Sequence, residues 1–77
     1  MVSSPAIGIQ IAHLRAFLAV RRLGSYARAA EELCYTEPAV HLQVSVLRKV
    51  SGDPLFERNG PRMTLTTRGE QLLPLAK

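Results

Sequence analysis

Residues 24–43, GSYARAAEELCYTEPAVHLQ, limit what this chain can fold into more than any other stretch. They read as two short helices joined by a tight turn. Ser25 is a natural N-cap, because its hydroxyl satisfies an amide that the first helical turn leaves free. The helix it opens is predicted over Tyr26–Leu33. Ala29 and Ala30 are small enough for a second helix to cross closely, and Leu33 closes the apolar face. Cys34 and Tyr35 form the turn. Thr36 caps the next helix, predicted over residues 37–50. Glu37 meets the positive helix end, and Pro38 falls in the first turn, where no amide donor is required. Val40, Val44, Leu47 and Val50 make the expected buried stripe. Glu37, His41, Leu42, Ser45, Arg48 and Lys49 lie on the other side.

The flanks complete the pattern. Ile11, Leu14, Phe17, Leu18 and Leu23 recur at helical spacing, with Val20 close by, and predict a first helix over Ile11–Leu23. Gly24 stops it, and Arg21 and Arg22 sit in its last turn as a solvated helix end. Ser51-Gly52-Asp53-Pro54 breaks the third helix. Residues 55–58 read as a strand, Asn59-Gly60-Pro61 as a turn and Arg62–Leu65 as the returning strand. Two strands alone are marginal, so the hairpin must lie on the helices through Leu55, Phe56, Met63 and Leu65. Thr66 or Thr67 then caps a fourth helix, and Glu70, three residues after Thr67, fits a capping box. Pro74 would kink that helix. The expected fold is mainly α with a small β-hairpin, a winged helix-turn-helix. A flexible tail is expected over 1–10, the winged domain over 11–65 and the start of the fourth helix over 66–77.

Composition narrows the function. The chain has 77 residues, enough for one domain, and is 47% hydrophobic, enough for a small core. Ten Lys and Arg against six Asp and Glu give a net charge of +4 and a pI near 10.0. A basic helix-turn-helix predicts DNA as the partner. The single cysteine, Cys34, excludes an internal disulfide and suits a reducing cytosol. It is expected to fill space in the turn, with a redox switch as the alternative. No apolar run is long enough to cross a membrane, and the N-terminus lacks the charge pattern of a signal peptide. A cytoplasmic protein is expected. His13 and His41 fall on different helices, so no metal site is expected. The scattered carboxylates and the lack of a phosphate loop or activated nucleophile argue against an enzyme, and no cofactor is implied.

One family carries these residues in this order. Leu14 to Phe17, Gly24-Ser25, Ala29-Ala30-Glu31-Glu32-Leu33, Thr36-x-Pro38-Ala39-Val40-x-x-Gln43, Leu47, residues 54–58 (PLFER) and Leu65-Thr66-x-x-Gly69 resemble the DNA-binding domain of bacterial LysR-type transcriptional regulators. The molybdate-responsive ModE regulators share a similar N-terminal domain and are the close alternative. The resemblance covers about 11–77. It implies that the third helix enters the major groove and that the wing touches the flanking backbone or minor groove. It also implies that the fourth helix is a linker pairing with its copy in a second subunit. The operator is then dyad-symmetric, and an effector binds only through a C-terminal domain outside this chain. The chain is thus expected to be part of a longer regulator, and by itself monomeric or weakly dimeric.

The expected DNA-binding residues are Ser25, Arg28, Thr36, Glu37, Pro38, Ala39, His41, Leu42, Gln43, Arg58 and Arg62. Ser25 and Arg28 fall where backbone phosphate is expected. Thr36 caps its helix, and with the amides of residues 37–39 it suits a phosphate. Glu37 stands where the family usually has glutamine. It either stabilises the helix start or accepts from a base such as cytosine at N4. Pro38 and Ala39 offer apolar contact to a thymine methyl besides opening the helix. His41 replaces the family's Ser or Thr and points outward to a base or phosphate. Leu42 replaces a frequent Arg, so with Val46 it forms an apolar strip facing thymine or a protein. Gln43 either contacts DNA or supports packing. Arg58 and Arg62 flank the wing turn, suited to phosphate or a narrow minor groove, and Arg68 is a weaker candidate. A winged helix that binds a protein partner is the competing function.

Overall fold

A computed structural model describes residues 10–76. In chain order it contains α1 (Ile11–Leu23), α2 (Tyr26–Leu33), α3 (Glu37–Ser51), β1 (Phe56–Asn59), β2 (Arg62–Leu65) and α4 (Thr67–Ala76). The expected tail falls outside the described residues except for Gln10. That residue is the N-cap of α1, and its amide donates to His13 Nδ1 at 2.9 Å.

Local chemistry sets the helix boundaries. Gly24 ends α1 at φ 68° and donates its amide to Val20 O at 2.7 Å, a left-handed cap that a side chain would strain. Ser25 Oγ accepts from Arg28 N at 3.1 Å and opens α2. Cys34 caps its far end at φ 60°, exposed at the turn. Thr36 Oγ1 accepts from Ala39 N at 3.2 Å and opens α3.

The core lies among α1, α2, α3 and the base of the hairpin. Ala16, Phe17, Val20, Ala29, Val40 and Val44 are buried, and Leu47 with them. Val50 departs from the expected stripe and is 55% exposed. At 3.6 residues per turn it stands about 80° round the helix from Val40. Ile11 is likewise 68% exposed, about 120° from Phe17 on its own helix.

The wing is a two-stranded antiparallel ribbon with Phe56 opposite Leu65, Arg58 opposite Met63 and Asn59 opposite Arg62. The first strand begins one residue later than expected, because Leu55 has φ 70° and stands outside the ladder. Its side chain is still fully buried. Phe56 meets Phe17 at 5.4 Å between ring centres and Tyr26 edge-on at 6.1 Å, anchoring the hairpin to α1 and α2. Met63 N donates to Gly24 O at 3.0 Å, which ties β2 to the end of α1.

The expected Thr67–Glu70 capping box does not form. Thr66 is the residue before α4, and its hydroxyl accepts from Gly69 N at 3.0 Å. That hydroxyl donates in turn to Asp53 Oδ1 at 2.8 Å, and Asp53 Oδ1 also accepts from Leu55 N at 2.7 Å. The Leu55 amide, then the Thr66 hydroxyl, hold the Asp53 carboxyl below its ordinary pKa. One carboxylate therefore joins the end of α3, the start of the wing and the start of α4.

Candidate nucleic-acid interface

Two helix N-termini and one face of the wing border a single open cleft. Ser25, Tyr26 and Ala27 enter it from α2, Glu37 and His41 from α3, and Arg58 from β1. The Ser25 hydroxyl takes the Arg28 amide, so the amides of Tyr26 and Ala27 remain for an anion at this helix end. The α3 end is poorer in donors. Pro38 has no N–H and Ala39 gives its own to Thr36, so of the amides of residues 37–39 only that of Glu37 remains.

The cleft carries a packed side-chain array that the sequence pattern does not reveal. The His41 ring stacks on Tyr26 with centroids 3.8 Å apart and 12° between planes. His41 Nε2 lies 3.6 Å from Glu37 Oε2, one turn earlier on α3. Arg48 donates to the Tyr26 hydroxyl at 3.0 Å and to His41 O at 3.5 Å. Burial pushes the Tyr26 phenol pKa up, and the neighbouring Arg48 guanidinium opposes that shift. Arg48 is thus drawn toward α2 rather than extended late along α3. Tyr26 is the residue that motif reasoning missed. Its partner is fifteen positions away, so no local spacing signals the stack.

The other expected residues divide. Arg28, Thr36, Glu37, Pro38, His41 and Leu42 are exposed, while Ser25, Ala39 and Gln43 are half-buried. Leu42 is 68% exposed beside Pro38 along the outer face of α3. Arg58 and Arg62 border different hollows. Arg58 is in register with Met63 and borders the cleft. Arg62 folds back, with its guanidinium so close to Gly24 that a Cβ added there would stand 2.8 Å from it. It borders a separate hollow with Arg21, Glu70 and Leu73. Among the described residues no three His, Cys, Asp or Glu side chains gather as a metal site, and no helix is long and apolar enough to cross a membrane.

Comparisons with known proteins identify the family and the fold. Residues 11–70 match the family model for bacterial regulatory helix-turn-helix proteins of the lysR family. The chain is 44% identical over 72 residues to the HTH-type transcriptional regulator CfxR of Cupriavidus necator, covering 94% of this chain and 23% of that protein. It is 49% identical over 59 residues to a RuBisCO operon transcriptional regulator of Acidithiobacillus ferrooxidans, covering 77% of this chain and 19% of that one. It therefore spans only about a fifth of the length of these relatives. A crystal structure of the BenM DBD with benA site 1 DNA superposes with a TM-score of 0.78 at 31% identity, covering 87% of this chain and 75% of that one.

Proposed function

We propose, since this chain belongs to the LysR family of bacterial helix-turn-helix regulators, that it is the sequence-specific DNA-binding domain of a cytoplasmic transcriptional regulator. The observation that carries the reading is the cleft in which the N-termini of α2 and α3 and Arg58 of the wing face one space. A duplex set there places α3 in the major groove and the wing on flanking backbone or minor groove.

Under this reading Ser25, Arg28 and Thr36 hold phosphates, helped by the free amides of Tyr26 and Ala27. Glu37, Pro38, Ala39, His41 and Leu42 face base edges, and Gln43 supports them from the same helix. Leu42 and Pro38 offer apolar contact suited to thymine methyls. Arg58 supplies the main wing contact. Arg62 contributes once its guanidinium leaves Gly24. In the whole regulator two copies pair through α4 on a dyad-symmetric operator, and an effector acts through a separate C-terminal domain.

The test is selection of random duplex DNA by this chain, followed by affinity measurements across a salt series. Enrichment of a half-site motif is expected where one copy binds, and of a dyad where two copies do. The logarithm of the binding constant is expected to fall with log salt at about −0.9 per phosphate neutralised. Binding that does not weaken as salt rises would refute the proposal. The exposed Leu42 favours one other reading, a docking face for a protein. Replacing Arg58 and Arg62 together separates the two, since DNA affinity depends on those charges and an apolar protein contact does not.

A further inference from the structure

We infer that Tyr26 is a positioning residue for base recognition: it holds His41 against Glu37, so the three side chains act as one reader that selects cytosine. The inference rests on the DNA-binding reading and adds to it a residue, a coupling and a preferred base.

Glu37 and His41 are both exposed and are one helical turn apart at the start of α3. Alone, each would sample several rotamers, and fixing them on binding would cost side-chain entropy. Here one face of the His41 ring is braced. It lies flat on Tyr26, 3.8 Å away and 12° from parallel, and Tyr26 is only 8% exposed. Tyr26 is itself held by the edge of Phe56 on one side and by the Arg48 hydrogen bond to its hydroxyl on the other. Arg48 also reaches back to His41 O. The contacts therefore run from buried Tyr26 on α2 to exposed His41 on α3.

Held in this way, His41 Nε2 faces Glu37 Oε2 at 3.6 Å, ion-pair range for a protonated ring. The imidazole occupies one side of the carboxylate and leaves the rest of it toward the cleft. A carboxylate only accepts hydrogen bonds. In the major groove, cytosine presents an N4 donor, guanine presents only acceptors and thymine presents an acceptor and a methyl group. Adenine has a donor flanked by the N7 acceptor, which repels a second carboxylate oxygen and rewards an amide instead. The Glu37 carboxylate, the acceptor of this set, thus favours cytosine.

The experiment is duplex selection and competitive binding with the wild-type chain and four variants, Glu37→Gln, His41→Ala, Tyr26→Phe and Tyr26→Leu. The wild type is expected to require cytosine at one position of each half-site, with about tenfold weaker binding when it is replaced. Glu37→Gln is expected to move that preference to adenine. His41→Ala, which removes an exposed ring, is expected to reduce the cytosine preference at least threefold with the salt slope unchanged. Tyr26→Phe keeps the ring that carries the stack but loses the Arg48 bond, and is expected to keep most of the preference. Tyr26→Leu is expected to lose it, and the folded state of that variant is checked by its melting transition. If Tyr26→Leu does not fold, His41→Ala decides. A folded Tyr26→Leu that keeps the cytosine preference, or a selected motif that Glu37→Gln and His41→Ala both leave unchanged, overturns this inference and leaves the DNA-binding reading standing. If the wild type retains no DNA, both fall.

Discussion

Replacing Gly69 by alanine adds one methyl group to the third residue of α4, where helix propensity alone favours alanine by about 1 kcal/mol. The fold reverses that sign. A Cβ at Gly69 would stand 2.5 Å from Leu55 O and 2.9 Å from Leu65 Cδ2. Comfortable heavy-atom contacts lie near 3.5 Å, so a gap of about 1 Å must open. The Leu65 side chain can turn aside, but Leu55 O cannot. It accepts the Thr66 amide at 2.9 Å, and the Leu55 amide is held by Asp53. The start of α4 must therefore lift off the wing. Overpacking of this kind costs about 1–3 kcal/mol. Loosening the Thr66–Leu55 bond and the Gly69–Thr66 cap adds about 1 kcal/mol each. After the propensity gain, Gly69→Ala is expected to lose about 2–4 kcal/mol. In a domain of this size the melting temperature then falls by at least 8 °C. Thermal unfolding followed by circular dichroism measures this directly. An unchanged or raised melting temperature would refute the reasoning, since it would mean that α4 does not press on Leu55 as described.

Further outcomes follow from the caps, the wing and the carboxylate. Thr36→Ala removes the acceptor for the Ala39 amide and is expected to cost about 1 kcal/mol, read as a lower denaturant midpoint at unchanged slope. Arg58→Ala is expected to reduce the salt slope of DNA binding by about one. Arg62→Ala is expected to change it less, because that guanidinium rests on Gly24; equal effects would contradict the division between the two arginines. The lowered pKa of Asp53 means that the unfolded chain takes up its proton first as pH drops. Its stabilising effect is therefore present above the ordinary value of about 4 and is lost as pH falls through the folded-state value. Asp53→Asn is expected to melt below the wild type at neutral pH, with the difference narrowing in acid; a pH-independent difference would exclude the linkage.

The helix boundaries were legible because single residues set them. Gly24, Ser25, Thr36 and Pro38 act through their own backbones or the next turn, and α1 and α2 span the residues their pattern predicts. The third helix runs one residue past 50, to Ser51. Errors arise where a distant residue intervenes. Val50 has the right hydropathy, but its direction round α3 points it past the core. Leu55 looks like a strand residue, yet Asp53 captures its amide and the chain turns through a positive φ before pairing starts. Thr66 outcompetes Thr67 as the cap because its hydroxyl also donates a hydrogen bond to Asp53. The candidate site divides in the same way. The helix ends and Arg58 could be read from local signals and turn chemistry, whereas the Tyr26–His41 stack and the retreat of Arg62 onto Gly24 are tertiary contacts with no local signature.

The shared Asp53 carboxylate also has a mechanical meaning. Its single Oδ1 grips the residue where the chain enters the hairpin and the residue where it leaves. The same oxygen thus ties both ends of the hairpin to the start of α4. The wing is therefore fastened twice, to the helices through Phe56 and Met63 and to the start of α4 through Asp53.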